Sequence, residues 1–477
     1  MKIGKRYLCL SALICGLTWP AFAAEPWLRL RSPHFEMLTT AGEKKGRDAI
    51  LYFEAVRGFF HSSGTIREAD RKERPVRIIA FRSAKEFEPY KLNQFSSAYY
   101  LAGWDSDTIV MSGIERDRYP AAVHEYTHLI IHRSGLNLPV WLNEGLADLY
   151  SSLQPQGSKI RVGDLLPGRV QRLQRSPLIP LEELVAVDHA SPWYNERQRA
   201  SVFYAESWAL THMLALSQEY RRRFPEFVVE IAAKRSLETA LREAFGKTVR
   251  EVQTDLTNYF SGRLIGSLLD AKLDPGSDRA AIDTPPEIET QVALAEVLAS
   301  SKRTNAAGRA RYEKLQKQYP DSPLVEAGLG RVFLREKNHE EARRHFARAV
   351  ELGARDSRIF FDYAMLSRGR AGDQQSVELL RKALDLDPEF EDAHYHLGFV
   401  LLRQNQFRDA LAEFAKVRHV KAEDAFEFYR ATAGAWLRLG ERESARVAAE
   451  RAQTLAVSDE DKQAIGRLLA SIARLNR

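Results

Sequence analysis

The chain has 477 residues, 44% of them hydrophobic and 28% charged, the composition of a soluble globular protein with room for two or three domains. Setting aside Lys2, Lys5 and Arg6 in the first segment leaves 67 basic against 64 acidic residues, a net of +3. The sequence pI near 9.1 is therefore no argument for nucleic-acid binding.

Those three basic residues precede an apolar run from Tyr7 to Trp19, and Ala21-Phe22-Ala23 closes it as an A-x-A cleavage site. Residues 1–23 read as a secretory signal peptide, too short for a stable membrane span. Both cysteines, Cys9 and Cys15, lie inside it, so neither disulfide nor thiolate chemistry is expected of the mature chain. A cysteine-free exported protein points to the bacterial envelope, periplasmic or secreted.

Residues 27–40 alternate apolar and polar and read as extended, with His34 beside Pro33 in a structural role. Ile50, Leu51, Phe53, Val56 and Phe59-Phe60 predict a helix over 43–61, closed by Ser62-Ser63-Gly64. Val76 to Phe81 reads as a buried strand and Ala84 to Tyr90 as a short helix. Residues 98–104 and 108–111 read as two strands joined by the acidic turn Asp105-Ser106-Asp107.

The next stretch carries chemistry. His124-Glu125-Tyr126-Thr127-His128 is an instance of His-Glu-x-x-His, and Tyr119-Pro120 leads into it as a helix start. On a helix the two imidazoles lie one turn apart on one face, able to reach one metal ion, with Glu125 beside them to hold a water. Catalytic zinc takes three protein ligands and keeps one position open. Trp141-Leu142-Asn143-Glu144-Gly145-Leu146-Ala147-Asp148 supplies the third in Glu144, and Asp148, four residues on, is placed to orient a histidine. Ser134 to Pro139 forms the turn between the two helices. His132 is the nearest further imidazole, farther round the helix, and reads as surface or core.

His-Glu-Tyr-Thr-His followed by Leu-Pro-Val-Trp-Leu-Asn-Glu-Gly-Leu-Ala-Asp resembles the gluzincin metallopeptidases, in the peptidase-MA-like group often fused to helical repeats. The resemblance implies an α+β zincin-like metallopeptidase domain over residues 25–272 with Zn2+ as cofactor. It also implies that the sheet edge before the metal helix pairs with a peptide substrate; an ordinary internal strand is the other reading.

Residues 151–200 are rich in Pro and Gly and read as a loop-rich segment beside the cleft; its basic patch, Arg169 to Arg175, reads as a solvated face. Helical pattern resumes at Ala200 to Leu214. Tyr204-Ala205-Glu206-Ser207-Trp208 resembles the Tyr-x-x-Ser-Trp helix that follows the ligands in the same group. Tyr204 is the leading candidate for oxyanion support, ahead of His189, Tyr194 and His212. Helices are expected to about Ala271, over 222–234 and 249–269.

Asp274-Pro275-Gly276 and Thr284-Pro285-Pro286 mark a linker over 273–286. Beyond it Gly330, Ala364 and Gly398 recur every 34 residues, as do Phe346, Leu380 and Phe414, and Ala349, Ala383 and Val417. Pro320 and Pro388 fall at the turn position. This is the tetratricopeptide pattern, an all-α solenoid over 287–477 of about five units with Asp459–Arg477 as a capping helix.

The expectation is an exported zinc metallopeptidase acting on a protein or peptide substrate, with repeats that bind a protein partner. His124, His128 and Glu144 hold the metal, Asp148 orients a histidine, and Glu125 is the general base. Two alternatives stand beside it: an envelope scaffold or assembly factor with a silent or structural metal site, and a zinc hydrolase of a non-peptide amide.

Overall fold

The computed structural model describes residues 26–63, 75–92, 96–102, 107–261, 266–270, 279–367, 373–421 and 423–474. The expected signal peptide, residues 1–23, and most of the acidic turn at 105–107 lie outside the described residues.

A six-stranded mixed sheet organises the N-terminal part. Its strands are β1 (Leu28–Arg31), β2 (Phe35–Thr39), β3 (Val76–Ala80), β4 (Ala98–Leu101), β5 (Thr108–Met111) and, from much later in the chain, β9 (Ala281–Asp283). They lie in the order β4-β5-β3-β2-β1-β9. The predicted extended stretch is thus two antiparallel strands, with Leu30 opposite Met37. His34, at their turn, holds the buried Glu54 carboxylate through its ring Nδ1 at 2.8 Å and its backbone N–H at 3.0 Å. β2, β3 and β5 run parallel, and β4 returns antiparallel as the outer strand.

Alternate residues of these strands feed two different cores, which is why the central strands read as unbroken apolar runs. Phe35, Met37, Ile78, Ala80, Ile109 and Met111 face one core. It is closed by α1 (Glu43–Ser63) and α3 (Tyr119–Arg133). Between them α2 (Ala84–Phe87) forms a short turn of helix whose N-cap, Ser83, accepts from the Glu86 amide. Leu38, Ile79, Phe81, Tyr99 and Val110 face the other side.

After α3 come α4 (Val140–Ser151), β6 (Gln154–Gln156), β7 (Lys159–Val162), α5 (Pro167–Gln174), α6 (Leu181–Val185), α7 (Pro192–Asn195) and α8 (Arg197–Leu216). The segment 151–200 is therefore more ordered than its Pro and Gly content predicts. α9 (Phe224–Ala232), α10 (Leu237–Phe245) and α11 (Val249–Ser261) complete this part. The helix expected to run to 269 stops earlier. Ser267–Asp270 is β8, pairing antiparallel with β7 in a small β6-β7-β8 sheet.

The remainder is helical: α12 (Glu287–Ala299), α13 (Asn305–Gln318), α14 (Pro323–Arg335), α15 (His339–Glu351), α16 (Ser357–Leu366), α17 (Asp373–Leu386), α18 (Glu391–Arg403), α19 (Phe407–Phe414), α20 (Ala425–Arg438), α21 (Arg442–Leu455) and α22 (Asp459–Arg474). Consecutive helices pack as hairpins around successive small cores. The 34-residue repeat has a steric cause. A Cβ on Gly330 would stand 3.0 Å from the Phe346 ring, and one on Gly398 would come within 2.3 Å of Phe414. In these two units the small residue of the first helix makes room for the aromatic of the second.

The expected linker is not free chain throughout. Ala281–Asp283 is β9, hydrogen-bonded to β1. α12 then lies across the second face of the main sheet, where Ala293, Leu294, Val297 and Leu298 complete the core with Leu38, Ile79, Phe81 and Tyr99. Arg29 on β1 binds both Asp283 on β9 and Glu289 in the first turn of α12. From α13, Arg311 donates to the Tyr90 hydroxyl at 2.7 Å. The first repeat helix is part of the sheet domain's core.

Candidate metal centre

α3 and α4 present the site. Pro120 sits in the first turn of α3, where its missing N–H costs nothing, and α4 begins after the extended Pro139. α4 is pressed against α8 at Gly145, where a Cβ would lie 2.1 Å from Thr211 Oγ1 and 2.5 Å from the Ser207 carbonyl oxygen. Only glycine lets the two helices approach so closely, and this contact fixes where Glu144 and Asp148 project.

Three ligand atoms converge. His124 Nε2 lies 3.1 Å from His128 Nε2, and Glu144 Oε2 lies 3.4 Å and 3.6 Å from them. These three residues form the one possible metal-binding group found among the described residues. Bonds of about 2.0–2.2 Å at tetrahedral angles set neighbouring ligand atoms about 3.3 Å apart, so the triangle has the dimensions of a zinc site.

The donor chemistry agrees with the distances. His124 Nδ1 is 3.0 Å from Asp148 Oδ1, and His128 Nδ1 is 2.8 Å from Asn143 Oδ1. Both oxygens are acceptors, so in the neutral rings each Nδ1 carries the proton and each Nε2 turns a lone pair toward the other. Two facing lone pairs at 3.1 Å repel unless a cation or a proton stands between them. Burial works against a charged His124, yet the Asp148 and Glu144 carboxylates outweigh it and hold its pKa up at about 10. Burial would also raise Glu144, but hydrogen bonds to His124 and His128 bring it well below the usual carboxylate range. The pocket is built to surround positive charge.

Glu125 stands beside the imidazoles on the cleft wall and is no member of the ligand triangle. Its Oε2 accepts from the Tyr100 backbone N–H at 3.1 Å, which ties α3 to the outer strand β4. Burial raises its pKa, opposed by the nearby His124 and His128. Such a carboxylate is a better proton acceptor than a solvated one. Because the Tyr100 N–H is taken up this way, the outer edge of β4 is not an open template at that residue, which narrows the strand-pairing role expected of it.

Asn143 and Arg169 were not singled out in the sequence. Arg169, from the patch read as a solvated face, places Nε 2.6 Å from Asp148 Oδ2 and its guanidinium 5.1 Å from the centre of the Tyr204 ring. Asp148 is therefore gripped on both oxygens, by His124 and by Arg169, and these lower its pKa against the effect of burial. The neighbouring Arg172 and Arg175 are exposed, as read. The signal for Asn143 was its place directly before Glu144; for Arg169 there was none beyond its charge.

The tyrosines exchange rank. The Tyr194 hydroxyl lies 3.4 Å from Glu144 Oε1, whereas Tyr204 reaches the site through Tyr194, with ring centroids 5.9 Å apart. Burial raises both phenols, and Glu144 adds to it. His189 stacks edge-on against Tyr194 at 4.9 Å and is exposed. His212 is a core residue, its nitrogens taken by the Tyr259 hydroxyl at 2.8 Å and the Gly163 carbonyl at 2.9 Å. His132 is exposed, outside the ligand triangle.

The candidate site opens on a cleft of about 710 Å3, bounded by Ser96 to Ala98, the first turn of α3 and the start of α5. No helix among the described residues is long and apolar enough to cross a membrane.

Comparison with known proteins reaches the helical half. The tetratricopeptide-repeat profile matches residues 374–435. Solved structures with similar chains include YrrB, described as a tetratricopeptide protein with an unusual peptide-binding site, at 17% identity, covering 37% of this chain and 90% of that one, with a TM-score of 0.33. MamA matches at 20% identity over 34% of this chain and 94% of that one, with a TM-score of 0.29. A thermophilic tetratricopeptide protein of Thermus thermophilus matches at 19% identity over 39% and 98%, with a TM-score of 0.25. No curated protein matches. An α+β domain thus leads into a helical solenoid that carries tetratricopeptide repeats.

Proposed function

We propose that the chain is a zinc-dependent peptidase of the gluzincin type whose repeats hold a protein substrate or partner. One observation carries the reading: two imidazole nitrogens and a carboxylate oxygen, 3.1 to 3.6 Å apart, with both outer ring nitrogens pinned by acceptors. His124, His128 and Glu144 hold the metal. Asp148 and Asn143 keep the imidazoles in the tautomer that binds it, and Arg169 keeps Asp148 in place. Zinc held there would supply Lewis acidity toward a scissile carbonyl and toward water. Glu125 takes the proton from the attacking water and returns it to the leaving amine nitrogen. The Tyr194 hydroxyl, backed by Tyr204, is the donor best placed to support the developing oxyanion. An exported, envelope setting belongs to the same proposal.

A second reading, a scaffold or assembly factor working through the repeats with a silent metal site, is favoured by the repeat match itself. Metal content and cleavage separate the two. Residues 24–477 and the Glu125→Gln variant are purified, assayed for zinc, and incubated with unfolded proteins. About one zinc per chain in both, with cleavage lost only in the variant, is the expected result. Stoichiometric zinc without cleavage by either favours the scaffold, and absence of zinc from both removes the metal centre from the argument.

A further inference from the structure

The metal cleft does not end at α3. Beyond Pro120 and Ser151, which line both spaces, a second cavity of about 600 Å3 opens between α1, the start of α3 and the strand β6. Its floor is apolar, made by Leu51, Tyr52, Ala55, Tyr119, Leu153 and Pro155. The floor is also rigid. The Tyr52 ring packs on Tyr119 at 4.5 Å between centroids, and its hydroxyl donates to the Leu153 carbonyl at 2.7 Å. With its phenol committed to the protein, Tyr52 offers the cavity an aromatic face. Asp48, Arg116, Ser151, Ser152, Gln154 and Gln156 stand among the lining residues as the polar part of the wall. Size and composition are those of a ligand-binding pocket, which runs about 300–1,000 Å3 with a mainly apolar lining and a few polar groups.

We propose that this cavity is a specificity pocket that receives a large apolar side chain, aromatic or branched aliphatic, of the peptide lying in the metal cleft. The proposal rests on the peptidase reading above. Continuity fixes the occupant: α3 carries His124 and the cavity-lining Tyr119, and α4 carries Asp148 and, at its end, Ser151. Leaving the His124–Asp148 pair in the same direction along both helices leads into the cavity. From His124 to Tyr119 a helix rises about 7.5 Å, and an extended peptide covers that in about two residues at roughly 3.3 Å each. The side chain that enters the cavity therefore belongs to a residue two to three positions from the bond that is cut. Removing a Phe- or Leu-sized side chain from water into such a space favours that substrate by a factor of about ten or more.

Ala55, half-buried on α1 and facing the space, is the handle. Decapeptides with a single Phe walked through a Ser/Lys background are incubated with zinc-loaded protein and the cut sites read by mass spectrometry. The expected wild-type result is cleavage at a fixed distance from Phe. Ala55→Trp, which narrows the pocket at α1, is expected to lower kcat/KM for the preferred peptide about tenfold or more and to leave an Ala-containing control within about twofold. Cutting with no fixed distance from Phe, or an equal loss on both peptides, overturns the pocket. Binding is measured in parallel by fluorescence anisotropy in the Glu125→Gln background, where nothing is cut. There the Phe peptide is expected to bind about tenfold tighter than the Ala peptide, with the difference gone in Ala55→Trp. Equal affinities for the two peptides with the pocket open and with it narrowed overturn the proposal even if the chain cleaves nothing. Cleavage failing while the binding difference persists counts against the peptidase reading and for the pocket.

Discussion

At the scale of single residues the candidate ligands His124, His128 and Glu144 are distinct from the groups placed around them. Tyr194 is the phenol adjacent to Glu144, so Tyr194→Phe is expected to lower kcat about 100-fold with zinc content unchanged. Tyr204→Phe, at the ring behind Tyr194, is expected to cost less; steady-state kinetics on one peptide compares the two. A second residue-scale expectation concerns Glu206 on α8. One of its oxygens accepts from the Ile179 amide at 2.7 Å, and the other has no hydrogen-bond partner among the described residues. Burial lifts its pKa to about 8. The native state therefore holds this proton more tightly than the unfolded chain does. The stabilisation is complete below the unfolded pKa of about 4.5 and is lost as pH rises through 8. Urea unfolding at pH 5 and pH 8.5 is expected to show a fall of roughly 3 kcal/mol in the wild type that Glu206→Gln removes. An identical fall in the variant would assign the pH dependence to other groups.

At the scale of elements, the α4–α8 contact decides whether the ligand set assembles. A methyl group at residue 145 would meet both Thr211 Oγ1 and a backbone oxygen, and the backbone cannot step aside as a flexible side chain would. Gly145→Ala is expected to destabilise the fold by about 2–3 kcal/mol and to weaken zinc binding, measured by chelator competition. Wild-type metal affinity in a folded variant would show that α4 has slack. Elements of this kind also show how far the sequence could be read. The two helices of the candidate site were legible because His124 and His128, and Glu144 and Asp148, stand at one-turn spacing, and the solenoid was legible because a small residue and a large apolar one each recur every 34 residues. β8 and β9 were not. Ser267–Asp270 and Ala281–Asp283 are too short for a period, and each becomes a strand through a distant partner, β7 or β1. Asn143 and Arg169 escaped for the same reason: each acts across a contact between elements, and one sequence shows only spacing along the chain.

For the whole molecule, the boundary between the two halves falls inside a shared core. A chain ending at 272 would lack β9 and α12, leaving Leu38, Ile79, Phe81, Tyr99 and Val110 uncovered on one sheet face. An exposed apolar face of that kind leads to association. Residues 24–272 are expected to aggregate on size-exclusion chromatography, whereas 24–318, which keeps α12 and α13, stays monomeric and takes up zinc. Soluble, zinc-loaded 24–272 would show that the sheet domain closes without the repeats.

That shared helix has a mechanical consequence. Two modules on a floppy tether sample many separations, and the second site then encounters a captured chain at an effective concentration set by the tether. Here α12 packs in both the sheet-face core and the first repeat core, so the first repeat is joined to the sheet by packing as well as by chain. On the proposed reading, a polypeptide held by the repeats would meet the cleft at a distance set by this fixed first repeat rather than by a tether.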